Sequence, residues 1–237
     1  MKHRLNIIEI LLQAIYSSGG VQKYLDTEDP NNKNYPWVQK FEEEFIKLSG
    51  AKYAIAVNSA TSGLHAALEA CNLSPDDEVI SSAITVVMNS FVTIQSNLTP
   101  VFADINPNTW NMDIETIKSK VTDKTRVIMP VSLFGLPVDI EPIMNFAKQR
   151  NIIVIDDSAE TIMGEYKKKF AGVHADISVY SFENKKHMTS GGEGGMVITS
   201  NEKLAKNIRK FSGIGYKNLT ASAGRVSMAS SEFQDPN

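Results

Sequence analysis

Residues 151–160 read NIIVIDDSAE, a continuous β-branched apolar run that ends in two adjacent carboxylates and a small polar turn. A strand that is apolar on both of its alternating faces is buried on both, which belongs in a parallel sheet covered by helices rather than in a sheet with one wet face. The same beat extends upstream. Apolar strands are expected at YAIAV (53–57), DEVISS (77–82), TPVFADI (99–105) and RVIMPV (126–131). Helical spacing predicts helices over about Trp37–Leu48, Thr61–Ala70, Val86–Gln95, Ile114–Lys120 and Ile140–Gln149. Strands alternating with helices predict an α/β class: a three-layer α/β/α sandwich around a mostly parallel sheet. Past Asp157 the rhythm changes. GEYKKKFAG (164–172) reads as a short hairpin with its lysines in a solvated turn, ADISVYSF (175–182) and GGMVITS (194–200) as strands, and 202–211 as a helix.

The flanks differ. In MKHRLNIIEILLQAIYSSGG, Leu5, Ile8, Leu12 and Ile15 recur at helical spacing, while Asn6, Glu9 and Gln13 interrupt any signal-peptide core. The stretch DTEDPNNKNYP (26–36) is a loop by composition. The tail ASAGRVSMASSEFQDPN is polar and unpatterned. The expected division is an N-terminal helix and loop (1–35), a cofactor-binding large domain (36–215) and an irregular tail (216–237), with a C-terminal small domain missing.

The 237 residues carry 24 lysines and arginines against 27 acids, net −3, with no long run of either sign. This balance argues against nucleic acid or an anionic membrane and for a small-molecule partner. No segment approaches the ~18 apolar residues of a membrane span. One cysteine, Cys71, excludes an intramolecular disulfide, suits the cytoplasm, and is expected as a small buried helix residue.

Ligands of open parallel sheets bind outside the carboxyl ends of the strands, so the loops there carry the candidates. NSATSG (58–63) opens a helix and places Ser59, Thr61 and Ser62 as caps or as an anion cradle. Asp156 and Asp157 point to opposite sides of their strand, so at most one faces a shared site. That one can cap a turn, act as a base or pair with a cationic heterocycle. Metal ligation is the poorer option without a His or Cys cluster. In SFENKKHMTSGGEGG (181–195) a lysine follows a buried strand, either as an exposed basic turn or as a desolvated nucleophile. It is not a phosphate-binding P-loop, since the lysine precedes the glycines. An anion cradle, a strand-end acid and a lysine are together the set that pyridoxal phosphate requires.

These stretches, with FEEEFIKLSGAKYAIAVNSATSGLHAAL and TPVFADINPNTWNMD, resemble the DegT-type nucleotide-sugar aminotransferases, fold-type I pyridoxal-phosphate enzymes, from about Pro36 to Phe211. The resemblance implies a phosphate site at Ser59, Ala60 and Thr61, a phosphate contact at Ser181, and Asp157 as partner of the ring nitrogen. It further implies Glu160 near the ring hydroxyl and Val86 where an aromatic ring cover is common. Counting from Ser181 puts the catalytic lysine at Lys186; counting back from GEGG puts it at His187, because this chain has one glycine more than the family pattern. Lys186 keeps the order without a gap and leaves the extra glycine within GGEGG. The implied reaction moves an amino group from glutamate or glutamine to a keto-sugar, nucleotide-linked, in a cytoplasmic homodimer that uses pyridoxal 5′-phosphate and no metal. The alternatives are a sugar 3-dehydratase with His187 as base, and a non-catalytic, regulatory or truncated relative.

Overall fold

The apolar runs become strands, and each helix between them buries one face. The computed structural model describes residues 37–213; the expected first helix, the 26–36 loop and the 216–237 tail lie outside them. In chain order the elements are α1 (Trp37–Ser49), β1 (Tyr53–Val57), α2 (Ala60–Ala70), β2 (Glu78–Ser82), α3 (Met88–Gln95) and β3 (Thr99–Ala103). Then come α4 (Ile114–Lys118), β4 (Thr125–Met129), a 3₁₀ turn (Leu133–Gly135), α5 (Ile140–Gln149) and β5 (Ile153–Asp157). The hairpin β6 (Glu165–Tyr166) and β7 (Lys169–Phe170) follows, with β8 (Ile177–Ser181), β9 (Gly195–Thr199) and α6 (Glu202–Ser212) after it. Boundaries shift by one or two residues at several ends: α3 starts two residues after Val86, α4 stops at Lys118, and β3 and β4 stop two residues early; the 3₁₀ turn is additional.

Seven strands form one sheet in the order β1-β9-β8-β5-β4-β2-β3. β9 runs antiparallel to both neighbours, and every other pairing is parallel. The reason is local. β8 and β9 are joined by the 182–194 loop instead of a crossover helix, so the chain returns beside β8 in the opposite sense. Consequently Val57 at the end of β1 and Ser181 at the end of β8 both sit opposite Gly195 at the start of β9.

Gly63 lets α2 lie close on this sheet, since a Cβ there would come within 2.9 Å of Val179 and 3.0 Å of Val197. α2 and α6 cover a core of Leu64, Leu68, Val179, Val197 and Ile208, while α5 covers Ile128, Val154 and Ile143. Under α1 the core is aromatic, with Phe45, Tyr180 and Phe182 almost without solvent. The outer edge of β1 is closed by side chains. Glu42 accepts the Ala56 N–H at 2.8 Å, Arg209 donates to the Ala54 carbonyl at 3.3 Å, and the two form a bidentate pair at 3.1 and 2.9 Å. They supply the acceptor and donor that a neighbouring strand would.

Cys71 departs from expectation in its place: it is the half-buried C-cap of α2 rather than an interior helix residue. Its thiol donates to the Ala67 carbonyl, and burial pushes its pKa up to about 12. The lysine turn stands as expected. Lys167 and Lys168 are exposed at positive φ, and the hairpin is tied to the start of α5 by Tyr166 donating to Asp139 and by a Lys167–Glu141 pair.

Candidate functional site

The carboxyl ends of β1, β5 and β8 and the amino end of β9 lie along one edge, so their loops share one space. Asp157 ends β5 and is 6 % exposed. Its Oδ2 accepts the side-chain amide of Asn89 at 3.1 Å, and its Oδ1 accepts the Ala159 N–H at 3.1 Å. Burial is the largest influence on this carboxyl and raises its pKa, with the Glu160 charge adding. The Ala159 N–H, the Asn89 amide and the Lys186 charge act the other way. Asp156 points away from this group, as strand alternation requires, and accepts the Ser132 hydroxyl at 3.1 Å. Burial pushes its pKa up to about 7, against the Ser132 and Ser158 hydroxyls and with the Asp157 charge adding.

In the loop after β8 the two lysines and the histidine face different surroundings. Lys186 is the one turned inward: its side chain is 19 % exposed and its Nζ lies 3.1 Å from Glu160 Oε1. Lys185 and His187 are exposed. Glu160 also accepts the Phe134 N–H on Oε2 at 3.1 Å. Burial raises the Glu160 carboxyl, but the Phe134 N–H together with the hydrogen bond and charge of Lys186 outweighs it and holds the carboxyl below its ordinary value. The four glycines of GGEGG differ in the space around them. Gly191 and Gly192 adopt positive φ with open space around them, whereas Gly194 and Gly195 are packed against neighbours.

At the start of α2, Ser59 is the N-cap. Its hydroxyl accepts the Ser62 N–H at 3.1 Å, and the Gly63 N–H goes to the Ser59 carbonyl. The N–H groups of Ala60 and Thr61 belong to the first turn, which has no intrahelical acceptors for them. Gly195 backs this turn so closely that a Cβ on it would lie 2.7 Å from the Ser59 carbonyl carbon and 2.8 Å from the Ala60 nitrogen. Ser181, 5 % exposed and paired with Gly195, accepts the Glu183 N–H at 3.3 Å. A helix N-terminus is a ready anion site, and here a strand-end hydroxyl stands beside it.

The structure thus brings together Ser59, Ala60, Thr61 and Ser181 on one side and Asp157, Glu160 and Lys186 on the other. Val86 lies in the loop before α3, 54 % exposed. Two residues escaped the sequence reading. Asn89 is fully buried on α3 and holds Asp157. Asn111, 3 % exposed, accepts the Leu133 N–H at 3.0 Å and donates to the Leu136 carbonyl at 2.9 Å, fixing the turn that offers Phe134 to Glu160. The available signal for Asn89 was an amide on a helix otherwise rich in apolar residues. Among the described residues no helix is long and apolar enough to cross a membrane.

Three proteins show what this arrangement is similar to. GDP-perosamine synthase of Escherichia coli O157:H7 is 40 % identical over 179 residues, covering 76 % of this chain and 49 % of its own length. NtdA from Bacillus subtilis, solved with bound cofactor PMP, superposes with a TM-score of 0.76 at 28 % identity over 94 % of this chain and 48 % of that one. A mutant of GDP-4-keto-6-deoxymannose-3-dehydratase (ColD) with bound GDP-perosamine gives 0.70 at 26 % identity over 85 % and 51 %. The chain spans about half the length of the curated relatives it matches. The sheet and its flanking helices are those of fold-type I pyridoxal-phosphate aminotransferases. Because the family profile matches continuously from residue 20 to 230, through every strand and loop that builds the site, the chain belongs to the DegT/DnrJ/EryC1/StrS aminotransferase family.

Proposed function

We propose that residues 36–215 are the cofactor-binding part of a pyridoxal 5′-phosphate-dependent aminotransferase that moves an amino group from glutamate or glutamine to a nucleotide-linked keto-sugar, as a cytoplasmic homodimer. The observation that carries this reading is the convergence of a buried carboxylate, an inward lysine and a helix N-terminus at one sheet edge. The donor set fits the cofactor. Asp157 is a buried acid whose two oxygens are hydrogen-bonded by neutral donors and which has no cation in direct hydrogen bond, a place that a protonated pyridine nitrogen would fill.

When bound, the cofactor supplies an electron sink and an aldehyde carbon; the protein supplies the rest. The N–H groups of Ala60 and Thr61, the Thr61 hydroxyl and Ser181 bind the phosphate. Asp157 holds the proton on the ring nitrogen. Glu160 fixes Lys186 and is the nearest acceptor for the proton that Nζ must lose to become a nucleophile. Lys186 then carries the proton taken from the donor's α-carbon. Val86 would be the aliphatic cover of the ring.

The test is an absorbance spectrum of the chain with pyridoxal phosphate before and after borohydride, followed by peptide mapping. The expected result is a visible band that disappears on reduction, with the label on Lys186, and no label in Lys186→Ala. A band that borohydride cannot fix to the protein would overturn the lysine assignment and favour the His187 dehydratase reading, for which the ColD neighbour is the supporting observation.

A further inference from the structure

Trp110 and Phe134 are large, exposed and in contact, 51 % and 74 % accessible with ring centroids 6.4 Å apart at 66°. Both have backbone conformations that bulky side chains rarely adopt, φ 63° and φ 52°. Such strain persists only where the surroundings enforce it. Here they do. The Trp110 N–H donates to the Asn106 carbonyl at 2.8 Å, the Asn106 N–H donates to the Asn111 carbonyl, and the buried Asn111 side chain clamps the 133–136 turn from both ends. Asn106 and Asn111 together therefore hold both aromatic residues in place, and neither ring is used by the core.

Their position is equally specific. The two loops follow β3 and β4, so they lie at the carboxyl edge of the sheet with the candidate site. The Phe134 N–H and Lys186 Nζ bind opposite oxygens of the same Glu160 carboxylate. We propose that Trp110 and Phe134 form a rigid aromatic platform that receives the sugar ring of the substrate and selects for its apolar face. This rests on the aminotransferase reading above. Whatever carbonyl carbon reacts must come to Lys186, and the ring that bears it is the sugar; the nucleobase lies a diphosphate further away. A platform two hydrogen bonds from Lys186 accordingly meets the sugar and not the base. Pyranose rings present axial C–H groups on a face, and a deoxygenated exocyclic carbon presents a methyl. Both pack on aromatic surface with partial desolvation, and pre-organised rings lose little side-chain entropy on binding.

The test uses the full chain in a Trp37→Phe background, so that Trp110 alone among the two tryptophans of the sequence emits. The probes are GDP-4-keto-6-deoxymannose and dTDP-4-keto-6-deoxyglucose, each beside free GDP or dTDP. At least one keto-sugar nucleotide is expected to change Trp110 emission while its free nucleotide does not. Phe134→Asn, which removes the ring but tolerates positive φ, should weaken that keto-sugar nucleotide about 10-fold and leave the free nucleotide unchanged. The proposal is overturned by an equal response to the free nucleotides, by no response to either class, or by unaltered affinity in Phe134→Asn. It is also overturned if Trp110 emission follows protein concentration without ligand, which would mean that a second copy covers the pair. Borohydride labelling of Lys186 in the same samples reads the lysine assignment separately: labelling without a sugar response rejects only the platform, and a sugar response without labelling rejects only the role of Lys186.

Discussion

Asp157 is held in its buried position by two hydrogen bonds, one of which depends on a single amide, that of Asn89. Asn89→Leu removes that donor while keeping the branched four-atom shape of the side chain, and leaves Oδ2 unpaired. A hydrogen bond to a charged group contributes about 1.5–3 kcal/mol, so pyridoxal phosphate should bind roughly 10- to 100-fold more weakly by absorbance titration; an unchanged dissociation constant would sink the positioning role. Asp156 makes a separate prediction. Burial holds its pKa at about 7 in the fold, above the ordinary 3.8 of the carboxyl, so folding favours the protonated acid. The stabilisation is complete below pH 4 and is lost as pH rises from about 4 to about 7, by up to on the order of 4 kcal/mol. Asp156→Asn keeps an acceptor for Ser132 and abolishes the titration. Urea unfolding at pH 4.5 and 7.5 should show a smaller fall for the variant than for the parent, and parallel behaviour would refute the assignment. Strand alternation made the opposed directions of these two acids legible in sequence. Asn89 was not legible, because one polar residue on an apolar helix looks the same whether it faces water or a buried acid.

At the scale of elements, the boundaries followed from apolar runs and caps, while contacts between elements distant in sequence did not. Gly195 shows the difference. In sequence it is one of several glycines in a loop; in space it is the point where β9 meets the first turn of α2. Gly195 has no positive φ, so only space makes it a glycine, and the atoms a Cβ would strike are backbone that cannot step aside. Gly195→Ala should destabilise the fold by about 1–3 kcal/mol, as overpacking does, and displace the Ala60 and Thr61 N–H groups from the anion they are proposed to hold. Gly191→Ala is the comparison, since Gly191 has open space and only its φ to lose. Urea midpoints and inhibition of cofactor binding by inorganic phosphate separate the two: both readings should move in Gly195→Ala, and only stability in Gly191→Ala. Equal phosphate behaviour in the two variants would remove the cradle from the argument.

For the whole molecule, the sequence predicts a mostly parallel sheet but not its order, since an antiparallel β9 inserted between β1 and β8 is fixed by pairing between segments some 140 residues apart. What lies outside the sheet was equally hidden. On α3, Val87 just before the helix, Phe91 and Ile94 fall at helical spacing, and each is 61 % exposed. The opposite face of the same helix buries Asn89, Val92 and Thr93. A homodimer related by a two-fold axis would use such a stripe twice, and each large apolar side chain so buried contributes about 1.5–3 kcal/mol. Phe91→Glu places a charge in the middle of the stripe, on the face away from Asn89. With this stripe as the interface of the proposed homodimer, sedimentation is expected to report a dimer for the parent and a monomer for the variant at the same concentration, with the far-ultraviolet circular dichroism unchanged. The helix also links that surface to the site, because Asn89 on its inner face grips Asp157. Loss of association should therefore loosen α3 and weaken pyridoxal phosphate binding in step with dissociation, so that raising the protein concentration restores both together. A dimer that survives Phe91→Glu would exclude this face as the interface, and cofactor affinity independent of protein concentration would show that α3 holds Asp157 without help from a partner.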